Sequence, residues 1–332
     1  MEFYLLIKLR GFINQKKMEN KIKIIYWGTP NFSAEILKFL IETDYRPIAI
    51  ITQVDKPAGR GSKLKSSEVK ILAEKENIPY FQPEKLKNQD FLNQLKKIKP
   101  DLFIVASYGK IIPKEILEIP KLGVINIHPS LLPRWRGPSP IQSAILAGDK
   151  ETGVSIMLLD EEMDHGPILE SRKLKIESRI TFKRLEEILI KESAKLLIEI
   201  LPKWINGEIK PVPQNHEEAV YCKMIKKEDG RISWDESVDI IDRKICALNP
   251  WPGTYFEVCD KKFKVLDAEI AIFSNSAELW NTKKVGEFFC ENKQLMVKCK
   301  DGILILKNIQ PESKNTMDGY CFWCGYQQKL KN

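Results

Sequence analysis

The sequence has no cysteine before Cys222, and its seven cysteines are an odd number. An odd count argues against a complete disulfide framework. Histidine is also scarce, with three in 332 residues, so the first half of the chain has no cluster of ligands at a metal-binding spacing. The sequence therefore predicts a protein without disulfide bonds or a bound metal, in a reducing compartment.

Long apolar runs are missing as well. No segment reaches the roughly 18 apolar residues that a membrane helix needs. The stretch "FYLLI" near the start is shorter than the core of a secretory signal and lacks a cleavage site after it. We therefore predict a cytoplasmic protein with no membrane partner. Residues 1–17 precede a second methionine, Met18, and are either a disordered or dispensable extension or a misassigned start.

The glycine pattern of a dinucleotide site is absent. After the first apolar strand, "KIKIIYWGTP", the turn reads "GTPNFS" instead of Gly-x-Gly-x-x-Gly, which counts against a nicotinamide enzyme. The first half instead alternates almost continuously apolar strands with amphipathic helices such as "FSAEILKFLIE". This alternation predicts an α/β domain, with a doubly wound, Rossmann-like parallel sheet covered by helices on both faces.

The pattern changes in the last third of the chain. A long amphipathic segment from about Thr181 to Ile205 predicts a helix, and "PVPQN" beyond it is typical of a linker. Short strands such as "KFKVLDAEI" and "GILILKNI" then alternate with turns, which predicts a small, OB-like β-barrel. The predicted domains are a catalytic domain over 18–206, a linker over 207–220 and a β-barrel domain over 221–332.

Charge does not single out a nucleic-acid-binding domain. The formal net charge of the chain is +8, and the residues from Tyr221 onward carry only +2 of it. A positive balance favours a polyanionic partner, but a lysine-rich composition alone gives the same number.

The segment "GVINIHPSLLPRWRGPSPIQ" carries the most informative polar residues. Asn126 and His128 are two apart in a predicted strand, so both side chains face the same space, and Pro129 restricts His128 to extended conformations. An imidazole exchanges protons near neutral pH, and a carboxamide donates to a developing oxyanion. Taken alone, a histidine at a strand end is more often a surface residue. A carboxylate beside it, for which Asp164 is the candidate, would orient the ring.

The segment from Asn126 to Leu169 resembles the folate-dependent formyltransferases, and within them it is most similar to the enzymes that formylate methionyl-tRNA. The stretches "GTPNFSAEIL" and "ITQVDKPAGRGSKLKSSEVKILAEK" resemble the start and the basic insertion loop of those enzymes, and "NPWPGTYF" resembles their carboxyl-terminal domain. The resemblance runs from about Ile22 to about Pro311. One departure is His165, where the family often has threonine.

The resemblance implies a catalytic trio of Asn126, His128 and Asp164. It implies 10-formyltetrahydrofolate as co-substrate. Separately, the scarcity of cysteine and histidine predicts no metal, and we expect a monomer. The residues implied to bind the folate are Ser130, Leu131, Leu132 and Pro133, together with Ala106, Ser107, Tyr108 and Gly109. In the implied reaction, the amine of methionine on initiator tRNA attacks the formyl carbon, and Asn126 and protonated His128 stabilise the oxyanion.

The basic loop "DKPAGRGSKLK" is the candidate RNA contact. Its glycines allow movement, and its cations suit a phosphate backbone, although on composition alone a solvated loop is the simpler interpretation. With the resemblance, the residues expected to contact initiator methionyl-tRNA are Lys56, Arg60, Lys63 and Lys65, with Arg134 and Arg136 further along the chain.

Three alternatives remain open at this point. The same trio would serve a transferase that formylates a small amine, such as glycinamide ribonucleotide or an amino sugar nucleotide. A catalytically silent RNA-binding module would bind tRNA without turnover, and a hydrolase would release formate without an amine acceptor. The pair Cys321 and Cys324 is a weak signal for metal or redox chemistry, because a second pair at zinc spacing is missing.

Overall fold

The computed structural model describes residues 22–58, 63–271 and 282–330. The α-helices are α1 (Asn31–Ile41), α2 (Glu68–Lys75), α3 (Gln89–Ile98), α4 (Lys114–Leu117), α5 (Pro140–Ala147), α6 (Phe182–Ile205), α7 (Val238–Leu248) and α8 (Gly319–Leu330). The β-strands are β1 (Ile24–Gly28), β2 (Ala49–Ile51), β3 (Lys56–Ala58), β4 (Lys63–Lys65), β5 (Tyr80–Phe81), β6 (Leu102–Ala106), β7 (Val124–His128), β8 (Arg134–Arg136), β9 (Glu151–Leu158), β10 (Ile168–Lys175), β11 (Val220–Tyr221), β12 (Thr254–Val258), β13 (Lys261–Ile270), β14 (Phe288–Glu291), β15 (Gln294–Lys298), β16 (Ile303–Pro311) and β17 (Met317–Asp318).

The chain divides into two units that interleave along the sequence. Unit 1 comprises Met1–Pro138, Thr152–Leu174 and Glu186–Tyr221. Unit 2 comprises Ser139–Glu151, Lys175–Leu185 and Cys222–Asn332. The segment 207–220, which the sequence predicts to be a linker, belongs to unit 1 because Ile168 and Val212 exchange two backbone hydrogen bonds of 2.8 Å.

Unit 1 is built on a seven-stranded sheet in the order β10-β9-β7-β6-β1-β2-β5. The strands from β7 to β5 are parallel, whereas β9 runs antiparallel to β7. The predicted Rossmann-like α/β fold is confirmed, with the difference that the sheet is mixed at one edge. An apolar, β-branched strand has the same composition in either direction, so the sequence did not reveal the reversal of β9.

The core of unit 1 explains why its strands lack the alternation of a half-exposed sheet. All five residues of β1 are buried, as are all five of β6 and of β7. On one face, the ring of Trp27 packs at 5.3 Å from Phe103 and 5.2 Å from Tyr108, measured between centroids. Residues that are apolar on both sides of a strand suit a sheet covered on both faces.

Unit 2 contains an antiparallel sheet in the order β12-β13-β16-β15-β14, with β17 paired to β16. Its core is aromatic: the ring of Phe263 lies 5.4 Å from Phe256 and 5.2 Å from Phe322. The predicted β-rich second domain is confirmed, and the structure shows that its sheet is antiparallel. The long predicted helix after Thr181 is α6. Helices α7 and α8 were not predicted. None of the helices in the described ranges is long and apolar enough to cross a membrane.

Candidate active site

Strand β7 brings two polar side chains to the carboxyl edge of the unit 1 sheet. Asn126 and His128 are two residues apart, so they share one side of the strand, and they are only 8% and 4% exposed. The register pairs Asn126 with Val105 near the end of β6, and Gly28 with Ala106 at the ends of β1 and β6. The residues after these parallel strands therefore collect at one edge, where ligands of α/β sheets bind.

The loop between β9 and β10 adds the third predicted catalytic residue. Asp164 Oδ1 accepts a hydrogen bond from Asn126 Nδ2 at 3.3 Å and lies 3.6 Å from His128 Nδ1. Asp164 Oδ2 accepts from the backbone N–H of Gly137 at 2.8 Å. The structure thus brings the predicted trio together, with one carboxylate facing both of the other side chains.

The surroundings of His128 settle where its protons lie. His128 Nε2 is 2.9 Å from the backbone carbonyl of Trp135, and a carbonyl can only accept, so Nε2 carries a hydrogen in either charge state. Proton exchange is therefore confined to Nδ1, the nitrogen that faces Asp164. In the cation, Nδ1–H lies beside the Asp164 carboxylate at 3.6 Å, an ion-pair distance that is longer than a hydrogen bond.

The backbone of the Asp164 loop has an unusual conformation. Asp164 has a φ of 50°, in the left-handed region that few residues other than glycine adopt. Two residues on, Gly166 cannot be replaced without movement, because a Cβ there would lie 2.1 Å from the carbonyl oxygen of Leu158. The sequence "DHGP" therefore holds the carboxylate in a tight, specific turn.

The first predicted folate segment, Ser130–Pro133, is anchored by a buried serine. Ser155 Oγ accepts from the Leu132 N–H at 3.0 Å and donates to the Ser130 carbonyl at 2.8 Å. Ser130 is itself buried, and its hydroxyl donates to the carbonyl of Arg134 at 2.6 Å. The segment directly follows His128, with Leu131 and Pro133 partly exposed.

The second predicted folate segment, Ala106–Gly109, begins at the last residue of β6. Its conformation is fixed at the Tyr108 carbonyl, which accepts from Thr29 Oγ1 at 3.0 Å and from Gln53 Nε2 at 2.6 Å. Ser107 and Gly109 are exposed, whereas Tyr108 is buried. Burial raises the pKa of the Tyr108 hydroxyl to about 12.

The predicted RNA-binding residues are only partly described. Arg60 lies outside the described residues, and Lys63 begins β4, which pairs with β3 as a hairpin. Lys56 and Lys65 are exposed, and Lys65 Nζ is 2.9 Å from Glu68 Oε1. They stand at opposite positions of that hairpin, at the base of the predicted basic loop.

The two arginines of β8 differ from each other. Arg134 is exposed, and its guanidinium lies 4.5 Å from the centre of the Trp135 ring. Arg136 is 1% exposed, and its guanidinium donates to Gln214, Tyr221 and His216. A side chain enclosed in this way is not available to an RNA phosphate, so the expected tRNA contact at Arg136 is corrected.

Sequence reasoning missed Gln214, a buried residue of the segment "PVPQN". Gln214 Nε2 donates to the backbone carbonyls of Asp164 and Gly166, at 3.0 and 2.7 Å. The second histidine of the loop, His165, pairs through Nδ1 with Asp160 Oδ2 at 2.7 Å and stacks on His216, with ring centroids 4.0 Å apart. The sequence offers one signal here, a polar glutamine directly after the two prolines of "PVPQN".

The candidate metal or redox residues show no supporting cluster. Cys321 and Cys324 are exposed on helix α8. Within the part of the chain that the structure describes, no group of three or more histidine, cysteine or acidic residues could hold a metal ion.

Comparison with protein families gives two matches. Residues 20–201 match the model described as "Formyl transferase", and residues 224–327 match "Formyl transferase, C-terminal domain". A curated relative, methionyl-tRNA formyltransferase of Sulfurihydrogenibium sp., is 44% identical over 295 residues, which cover 88% of this chain and 94% of the relative.

Solved structures with the same fold are more distant in sequence. HypX from Aquifex aeolicus, in complex with tetrahydrofolic acid, superimposes with a TM-score of 0.61 at 18% identity, covering 93% of this chain and 48% of that chain. This chain therefore spans about half the length of HypX. WlaRD, a sugar 3N-formyl transferase, superimposes with a TM-score of 0.62 at 20% identity, covering 90% of this chain and 100% of that chain.

Proposed function

The chain belongs to the formyl transferase family, and from that premise we propose that it transfers the formyl group of 10-formyltetrahydrofolate to the amino group of methionyl-tRNA. The product is N-formylmethionyl-tRNA, the initiator of translation. The observation that carries the proposal is the contact of Asn126, His128 and Asp164 at the carboxyl edge of the sheet. The acceptor is supported by a relative of that name that matches the chain across both family segments.

The chemistry requires three tasks of the protein. As the methionyl amine attacks the formyl carbon, the formyl oxygen gains negative charge, and donors must already point at it. Asn126 Nδ2 and the Nδ1–H of cationic His128 are the donors, because Trp135 occupies the other ring nitrogen. The carbon–N10 bond then breaks, and the amine must lose a proton while N10 gains one.

Asp164 serves the proton transfers through His128. Its carboxylate faces Nδ1, so it stabilises the imidazolium and accepts from Asn126 at the same time. His128 Nδ1 gives its proton towards the departing N10, and the proton released by the amine returns to the His128–Asp164 pair. No covalent enzyme intermediate is needed, which agrees with the lack of a cysteine before Cys222.

Ser130–Pro133 and Ala106–Gly109 are proposed to line the folate. Both segments follow strands that end beside Asn126 and His128, and both are held in place by buried hydrogen bonds. The tRNA is proposed to contact the basic loop at Lys56, Arg60, Lys63 and Lys65, and exposed Arg134. We expect a cytoplasmic monomer in which residues 18–206 carry the catalysis and residues 221–332 assist in binding the tRNA.

The test is a competition between acceptors. The enzyme is given 10-formyltetrahydrofolate and an equimolar mixture of initiator methionyl-tRNA, glycinamide ribonucleotide and an amino sugar nucleotide, and the formylated products are separated. We expect formylation of the charged tRNA alone. Transfer to a small amine would refute the acceptor and keep the site, whereas formate release without an acceptor would make the protein a hydrolase.

A further inference from the structure

We propose that Gln214 and Arg136 are positioning residues for the transfer reaction, because together they hold both ends of Asp164 in place. This inference rests on the proposed function for its kinetic consequence, but its structural consequence can be measured independently of turnover. Gln214 lies 50 residues from Asp164 in sequence, in the segment that composition alone assigns to a linker.

The first of the two restraints acts on the backbone of the Asp164 loop. The left-handed φ of 50° at Asp164 is costly for a residue with a Cβ, so neighbouring contacts must maintain it. Gln214 Nε2 supplies them: its two hydrogens go to the carbonyls of Asp164 at 3.0 Å and Gly166 at 2.7 Å. The two donated bonds bridge the turn on either side of His165.

The orientation of the Gln214 amide is unambiguous. Its Oε1 accepts from Arg136 Nε at 3.1 Å and from Arg136 Nη2 at 2.7 Å, and a guanidinium only donates. The amide nitrogen must therefore face the two loop carbonyls, which only accept. Every hydrogen-bonding capacity of the Gln214 side chain is used, and a rotated amide would oppose donors to donors and acceptors to acceptors.

Arg136 is fixed in turn by groups on the segment that follows Gln214. Its Nη1 donates to the Tyr221 hydroxyl at 3.1 Å, and its Nη2 donates to His216 Nδ1 at 2.9 Å. A 1% exposed guanidinium with four such contacts has a single position. The segment from Gln214 to Tyr221 thus encloses Arg136.

The second restraint acts on the Asp164 carboxylate itself. Gly137, the residue after Arg136, donates its N–H to Asp164 Oδ2 at 2.8 Å. The Arg136 side chain therefore contacts Gln214, which binds the backbone of the Asp164 loop. The residue next to Arg136 in the chain, Gly137, binds the Asp164 carboxylate. Because Asp164 Oδ1 faces His128 Nδ1 at 3.6 Å, a displacement of the loop alters that separation directly.

The experiment uses Gln214→Glu in the full-length enzyme. A glutamate keeps oxygen acceptors for Arg136 but has no hydrogen to donate to the carbonyls of Asp164 and Gly166. The matched control is Gln310→Glu, since Gln310 is only partly buried and its Nε2 donates to the Lys314 carbonyl at 3.1 Å. We expect Q214E to lower kcat by about 10- to 100-fold with both KM values within about threefold of wild type, as a small misplacement of a reacting group predicts.

The second readout is the ¹⁵N spectrum of the histidine rings, which is simple because the chain has three histidines. In Q214E the His128 ring signals should shift, because the carboxylate that faces Nδ1 has moved. The His216 signals should stay, because its bond to Arg136 is retained. If Q214E does not fold, Gln214→Met removes the same donors and is measured in the same way.

The outcomes separate the two proposals. A kcat of Q214E within threefold of the Q310E value, or unmoved His128 signals, would overturn the positioning role. A loss of kcat that merely follows a loss of folded protein, at unchanged His128 signals, would also overturn it. Wild-type enzyme that fails to formylate methionyl-tRNA would refute the proposed function, while the ring spectra would still test the positioning.

Discussion

Replacing Asp164 by asparagine tests the site most directly, because the neighbours of its carboxylate are all donors. Asn126 Nδ2 and His128 Nδ1 face Oδ1, and the Gly137 N–H donates to Oδ2. An asparagine has one acceptor oxygen and one NH₂ group. Whichever way its amide turns, the NH₂ opposes a donor on one side, and the negative charge beside His128 is lost.

The distance between charges sets the size of the effect. Two unit charges 3.6 Å apart interact by roughly 4–5 kcal/mol at an effective dielectric constant of about 20. Part of that stabilisation is present before the transition state and does not count towards the rate. We therefore expect Asp164→Asn to lower kcat by about 10²- to 10³-fold, with little change in the KM of the folate.

The assay is single-turnover formyl transfer to methionyl-tRNA with saturating enzyme. Asp160→Asn is the matched control, because Asp160 is in the same loop and pairs with His165 Nδ1 at 2.7 Å without contacting the trio. We expect D160N to remain within threefold of wild type. A D164N enzyme that keeps more than a tenth of the wild-type rate would refute the role assigned to the carboxylate.

Three further predictions concern other parts of the chain. Arg60→Ala should weaken methionyl-tRNA binding and reduce the slope of log affinity against log salt concentration by about 1, while folate binding stays unchanged. The slope is measured by filter binding, and an unaltered slope would show that the phosphate contact lies elsewhere. Tyr108→Phe should stabilise the fold by about 1 kcal/mol in urea unfolding at pH 7, because the buried Tyr108 hydroxyl has no hydrogen-bond partner among the described residues. Burial raises the pKa of Tyr108 in the folded state to about 12, so the free energy of unfolding of the wild type should fall as the pH rises from about 10 to 12. The variant lacks this hydroxyl and should not show that fall. The same pH dependence in both proteins would refute the assigned effect of Tyr108. Asp242→Ala should destabilise unit 2 by about 2 kcal/mol, because Arg179 Nε donates to both carboxylate oxygens, at 3.1 and 3.0 Å, and the aspartate is buried; a change below about 0.5 kcal/mol would show that the pair contributes nothing.

The parts of the fold that the sequence predicted are those whose signal is local. The buried strands β1, β6 and β7 are apolar on both faces, and the stripe of α6 repeats at helical spacing, so each could be recognised within a short window. The pair of Asn126 and His128 could be predicted from the sequence for the same reason. Their spacing in one strand and the proline that follows determine that both side chains face one space.

The surroundings of the trio depend on contacts between distant segments. Arg136 lies in an arginine-containing stretch that is typical of a nucleic-acid contact. In the structure its guanidinium instead donates to Gln214, which is 78 residues away in sequence, and the side chain is buried. The two prolines before Gln214 predict a linker over 207–220, whereas contacts within the structure make this segment part of unit 1. Composition could not show that its backbone pairs with Ile168 or that its side chain is buried.

The fold does not select the acceptor. WlaRD, whose name is that of a sugar formyl transferase, shares the fold at a TM-score of 0.62 although it is only 20% identical to this chain. A fold held in common by enzymes of different names cannot by itself distinguish a sugar amine from an aminoacyl-tRNA. The distinction must come from surfaces that touch the acceptor beyond its amine, and for a tRNA those surfaces must offer cations to phosphates. We propose that the basic hairpin of β3 and β4, with Lys56 and Lys65 exposed at its base, is such a surface. The enclosed Arg136 is proposed instead to serve the reaction that all these acceptors would share.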